Sequence, residues 1–173
     1  MTKNVISSAK TLLAAYRKAL VSLEDGLGEE FSNAVNLMQE SAGHVVVCGM
    51  GKSGIIGRKI SASLASTGTP SLFLHPAEAI HGDLGMVRSG DVVLLISYSG
   101  ATEEILRLLP AFNRLDARLI ALTGNPDSMI AAVAEINLNI SVDREACPLN
   151  LAPTTSSLNS LVIGDALAVA LME

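Results

Sequence analysis

Two apolar runs, His44-Val45-Val46-Val47-Cys48 and Asp91-Val92-Val93-Leu94-Leu95-Ile96-Ser97, show no alternation of polar and apolar side chains. A strand of that kind must be covered on both faces, as strands are in parallel sheets flanked by helices. Helical patterns fall where such a sheet needs them. Val5, Leu12, Leu13, Tyr16 and Leu20 recur at helical spacing, and a second helix is expected over about 29–40. Strands are then expected at 44–48, 71–74, 91–97, 118–123 and 136–140, with helices at about 54–67, 102–114, 127–133 and 155–172 and an irregular segment over 75–87. This alternation predicts an α/β fold, a three-layer αβα sandwich around a five-stranded parallel sheet of the flavodoxin-like kind. The 173 residues suit one domain, with the helices of 1–40 packed on it.

Composition agrees, with 49% hydrophobic residues, 17% charged and no Trp, the profile of a buried sheet and not of a disordered chain. The mean hydropathy is high for a monomer, so some apolar surface is expected between subunits. Twelve basic and seventeen acidic residues give a net charge of −5, and no block of like charge stands out. That excludes a nucleic-acid footprint, and any anion must be bound locally by amides, hydroxyls and one or two cations. Cys48 and Cys147 have no metal-type spacing, and Cys48 in its strand is a small buried hydrophobe. Met1-Thr2-Lys3-Asn4 leads into an amphipathic helix with no secretory pattern, and no apolar run reaches membrane-span length. The expectation is a soluble cytoplasmic protein without a membrane partner.

In open parallel sheets ligands bind beyond the carboxyl ends of the strands, near the switch in strand order. Three loops at that end carry clusters suited to an anion: Gly49-Met50-Gly51-Lys52-Ser53-Gly54, Ser97-Tyr98-Ser99-Gly100-Ala101-Thr102 and Pro153-Thr154-Thr155-Ser156-Ser157. Each opens a helix, whose first N–H groups are free and whose terminus is partially positive. Three such junctions on one edge point to a phosphorylated small molecule. Gly49-x-Gly51-x-x-Gly54 also fits a dinucleotide turn, but the second strand ends Leu74-His75-Pro76 without the acidic residue that holds a ribose. A P-loop fails too, because Val46 stands where its first glycine belongs. A glycine turn needed only for packing stays open at this position, as does a plain helix cap for Ser99 or Thr102. Glu103 and Glu104 follow in the next helical turn, where the helix dipole favours negative charge.

At these residues the chain resembles the sugar isomerase (SIS) domain family, whose phosphate-holding turn has the form Ser-x-Ser-Gly-x-Thr. Further blocks narrow the resemblance to the arabinose 5-phosphate isomerases: Ser66-Thr67-Gly68-Thr69-Pro70, His75 to Met86, Glu145-Ala146-Cys147-Pro148-Leu149 and Gly164 to Leu171. The resemblance implies interconversion of D-ribulose 5-phosphate and D-arabinose 5-phosphate on the route to the Kdo sugar of lipopolysaccharide or capsule. It implies catalytic roles for Lys52, Glu104 and Glu145, with His81 in the sugar site and substrate contacts at Gly68, Thr69, Ser97, Ser99 and Thr102; the three anion clusters themselves add Gly51, Ser53 and Thr154 as expected contacts, and His81 is with Glu104 the expected carrier of protons. The resemblance also implies that no cofactor is required, that His75 is a site for a divalent metal such as zinc, and that the assembly is a homotetramer. The family commonly has Asn where this turn has Tyr98. Its members continue into a Ser-His-Pro-Gly-Gly stretch and paired cystathionine-β-synthase domains that these 173 residues do not include. SIS domains also serve as non-catalytic sugar-phosphate sensors, the alternative to an enzyme.

Overall fold

The structure, a computed structural model, describes residues 4–173. Met1, Thr2 and Lys3 of the expected N-terminal segment lie outside them. Two helices lead, α1 (Val5–Asp25) and α2 (Glu29–Glu40), followed by β1 (Val45–Gly49), α3 (Gly51–Ser66) and β2 (Ser71–Leu74). A short α4 (Pro76–Ile80) and a 3-10 turn (Asp83–Met86) then precede β3 (Val92–Ile96). The chain continues through α5 (Glu103–Leu106), α6 (Leu109–Arg114), β4 (Arg118–Thr123), α7 (Met129–Val133), β5 (Ile136–Asn139) and α8 (Thr155–Ala170).

The strands form one parallel sheet in the order β2-β1-β3-β4-β5. Successive side chains of a strand point to opposite faces, so each apolar run supplies two cores. Val45, Val47, Leu94, Ile96, Ile120 and Leu122 pack under α2, α3 and α8. Val46, Cys48, Val93, Leu95, Leu119 and Ala121 pack under the layer of α4 to α7, around Ile105, Phe112 and Ile130. The expected αβα sandwich is present.

Most boundaries fall within a residue or three of expectation, with three differences of note. The helix expected over 102–114 is broken into α5 and α6, because Pro110 has no N–H to give the preceding turn. Helix α3 begins at Gly51 and not near residue 54, so Lys52 and Ser53 lie in its first turn. The segment expected to be irregular contains α4, started by Pro76 at a position where a missing N–H costs nothing.

At the amino ends of the strands, the buried Asp91 carboxylate accepts hydrogen bonds from the N–H groups of His44 at 2.8 Å and Arg88 at 2.7 Å. It ties the starts of β1 and β3 together. On one face α3 and α8 pack so closely that a Cβ on Gly164 would overlap the fully buried Ile60 side chain. Lys59 and Asp165 pair across the same contact. Gly164→Ala is therefore expected to destabilise the fold by about 1–3 kcal/mol through overpacking, against a helix-propensity gain of at most about 1 kcal/mol. Urea denaturation measures it, and equal or greater stability would show that the two helices can part without cost.

Candidate active site

Strands β1 and β3 are neighbours, with Gly49 opposite Ile96, so the turns that follow them lie side by side. The chain winds from β1 toward β2 on one side and resumes at β3 on the other, which makes this gap the switch point of the sheet. Beyond β1, Met50 is the extended residue before α3, and Gly51 takes a left-handed φ of 56°. The N-cap Met50 offers the first-turn amides of α3 no side-chain hydrogen bond. Lys52 is exposed and Ser53 half-buried at that end. Unclaimed donors and an adjacent cation suit an anion.

The turn after β3 is held from several sides. Gly100 N–H donates to the Ser97 carbonyl at 2.9 Å, and the Gly100 carbonyl accepts from Ile130 N–H at 3.1 Å. Gly100 has φ 63°, and a Cβ there would overlap Ser128. Ser97 is buried, and its hydroxyl lies 2.7 Å from that of Thr102. The two stiffen each other. Ser99 is the exposed hydroxyl of the set, accepting only a long bond of 3.3 Å from Ala101 N–H.

The third cluster departs from expectation, because its cradle is already filled by the protein. Glu145 Oε2 accepts from Thr154 N–H at 2.7 Å, Thr154 Oγ1 at 3.0 Å, Thr155 N–H at 2.8 Å and Ser156 N–H at 3.3 Å. Its Oε1 accepts from the Ser156 hydroxyl. Thr154, expected on the substrate, has both its N–H and its hydroxyl committed here, and the hydroxyl also accepts from Ala146 N–H at 3.0 Å. An internal carboxylate thus takes the place anticipated for a phosphate at α8. Partial burial pushes the Glu145 carboxyl up, but the bonds from Ser156 and Thr154 outweigh it and hold the group below the usual carboxylate range. So engaged, Glu145 is a poor proton acceptor and a good anchor.

His81 is the exposed residue closing α4, and α4 packs beside α5, which carries the half-buried Glu104 in its first turn. Both helices lie in the layer on the face opposite α3. His75 follows β2 with its Nδ1 buried and without a hydrogen-bond partner. Among the described residues no group of three or more His, Cys, Asp or Glu is placed to hold a metal ion. Gly68 and Thr69 lie at the other end of α3. Gly68, at φ 102°, and Thr69, whose N–H returns to Leu64, terminate α3 next to the start of β2. That is the amino edge of the sheet, away from the crevice. Burial pushes the Cys48 thiol up to about 12, in keeping with an inert core residue.

Two contacts escape a reading of motifs, that of Glu145 with the start of α8 and that of Tyr98 with Val142. Glu145 lies only nine residues before Thr154, and an acidic group just ahead of an uncapped hydroxyl-rich helix start was the available signal. Tyr98, a mere departure from the usual turn, sends its hydroxyl to the backbone of Val142. No local pattern announces that contact.

The SIS domain profile matches residues 38–170. The chain belongs to the SIS domain family. It is 55% identical over 175 residues to arabinose 5-phosphate isomerase KdsD of Pseudomonas aeruginosa, covering 100% of this chain and 54% of that protein. It is 47% identical over 173 residues to arabinose 5-phosphate isomerase GutQ of Escherichia coli K12, again with 100% and 54% coverage. The chain thus spans about half the length of these two relatives. An E. coli CFT073 protein solved in complex with arabinose 5-phosphate superposes with a TM-score of 0.95 at 45% identity, covering 99% of this chain and 92% of the other.

The anchoring of Glu145 sets a pH dependence. Because its folded pKa is depressed, its bonds add stability that is complete above the unfolded value, about 4.3, and is lost as pH falls through the folded value. The stability advantage of the native chain over Glu145→Gln is expected to be full near about pH 7 and to shrink on acidification below about pH 4.5. Urea titrations across that range measure it; a gap independent of pH would mean that the carboxylate is not held as a charge.

Proposed function

We propose that this chain is the catalytic domain of an aldose–ketose isomerase that interconverts D-ribulose 5-phosphate and D-arabinose 5-phosphate, on the route to Kdo for lipopolysaccharide or capsule. The observation that carries this reading is the pair of turns at the switch point: uncapped α3 amides with Lys52 on one side, the stiffened Ser97–Thr102 turn on the other. The likeness of this whole chain to part of KdsD and GutQ supports it.

The phosphate is seated by Ser53, Ser99 and the neighbouring amides, with Ser97 and Thr102 bracing the turn. Seating the distant phosphate fixes the reacting carbons near the acid–base groups. A base removes a proton from C1 of the ketose, and the electron pair forms the C1–C2 double bond of an enediolate with the charge on O2. The proton returns at C2 while the O1–H hydrogen passes to O2, cancelling its charge, and C1 becomes the aldehyde carbon. Glu104 and His81 are the candidates for moving these protons, a contribution of about 10²–10⁴-fold. The Lys52 ammonium stabilises the oxyanion. Glu145 assists by fixing the 140–154 loop and by its charge. The steps move only protons, so no redox cofactor is called for, and a metal at His75 would be accessory.

Association into a homotetramer fits the apolar side chains that a single chain leaves exposed, among them Val5, Ile6 and Leu13 of α1 and Met172. Among the described residues no helix is long and apolar enough to cross a membrane, and a cytoplasmic enzyme is part of the proposal.

Incubation with ribulose 5-phosphate, followed by detection of arabinose 5-phosphate, tests the reading. Lys52→Ala is expected to lower kcat by about 10²-fold or more while stability stays within about 0.5 kcal/mol, since Lys52 is exposed. Normal turnover in the variant would remove Lys52 from the mechanism, and binding without conversion by the native chain would favour a sensor.

A further inference from the structure

Tyr98 stands between Ser97 and Ser99 in the phosphate turn, yet its side chain leaves that turn. The ring packs against the core beneath α2, α3 and α8. It lies so close over Gly124 that a Cβ there would overlap it, and the Tyr98 carbonyl accepts from Gly124 N–H at 2.9 Å. Ring and backbone are both held, so the hydroxyl cannot move unless the turn moves. That hydroxyl accepts from Val142 N–H at 3.2 Å and donates to the Val142 carbonyl at 3.4 Å.

Val142 lies in the stretch 140–154, which joins β5 to α8 without helix or strand of its own and carries Glu145. Other ties hold this loop. Asn159 Nδ2 donates to the carbonyls of Ile140 and Ser141 at 3.4 and 3.3 Å, Lys18 pairs with Asp143, and Glu145 grips the start of α8. Of these ties, only the one from Tyr98 begins in the phosphate turn.

We infer that the Tyr98 hydroxyl is a positioning strut, coupling occupancy of the Ser97–Thr102 turn by a phosphate to the placement of the 140–154 loop and its Glu145. The inference rests on reading that turn as the seat of a sugar phosphate. An anion held by the turn fixes its backbone, Tyr98 included, and the rigid ring carries that constraint to both polar groups of Val142. An Asn at this position ends near its own backbone and lacks the reach, so the link belongs to chains with Tyr here.

Tyr98→Phe keeps the ring and removes only the hydroxyl. Amide hydrogen exchange over residues 140–146 of the full chain, with and without inorganic phosphate, gives the direct readout. Phosphate is expected to slow exchange there about fivefold or more in the native chain, and by less than about twofold in the variant, which still binds phosphate. With ribulose 5-phosphate as substrate, the variant is expected to lose about tenfold in kcat with KM changed less than about twofold, since the phosphate seat is intact. Unchanged exchange in the native chain on adding phosphate, an equal response in the variant, or a rise in KM alone would overturn the strut. The native-chain arm requires no variant and decides the matter if Tyr98→Phe does not fold. A native chain that shows the exchange response but no turnover would sink the isomerase reading and leave the strut standing.

Discussion

The change of winding direction between β1 and β3 is the constraint on which the rest of the molecule depends. Both strands are buried on two faces and hydrogen-bonded to each other. Their connections must nevertheless leave toward opposite layers, β1 into α3 and β3 into α5. Two neighbouring chains that part at their ends cannot cover the gap they leave, and the backbone groups around it have no partner within the sheet. A polar crevice is thus a product of topology before any side chain is chosen. Glycines at 51 and 100, both left-handed, then let the backbone present its amides there.

Helix termini at this edge meet different fates. Helix α8 receives Glu145, whose two oxygens take five donors from Thr154, Thr155 and Ser156. Helix α3 receives no side-chain cap from its N-cap residue, Met50. An anion arriving from solution therefore meets one terminus already neutralised and one still open. The same chemistry that makes a helix start attractive to phosphate serves in one place to anchor a loop and in the other to keep donors free beside Lys52. Charge and hydrogen bonding separate the two roles even though the sequences of the two junctions look equally inviting.

The layers and the strands of this fold were legible because the relevant signals are local. Unbroken apolar runs such as 92–96 specify two-faced burial, and turn residues mark their ends. The split at Pro110 was legible in principle, since proline acts on its own helix. The candidate turns, too, appear as compact motifs. What could not be read were pairings set by distance across the fold. The Glu145 contacts with α8 and the Tyr98 contact with Val142 join residues whose proximity follows from the path of a long loop, and no periodicity encodes that path. Gly68 and Thr69 show the converse: a recognisable motif whose place in one chain, at the end of α3, is on the far side of the sheet from the crevice.

The Asp91 clasp has a consequence for how such a protein tolerates change. It secures the amino ends of β1 and β3 with a desolvated carboxylate and two backbone donors, on the edge where no chemistry is placed. Structural cohesion and ligand handling are thereby quartered at opposite rims of a sheet about five residues deep. Residues of the open rim can be exchanged over evolutionary time for new ligand preferences while the closed rim keeps the chain folded, a division that lets one scaffold diversify without first losing its integrity.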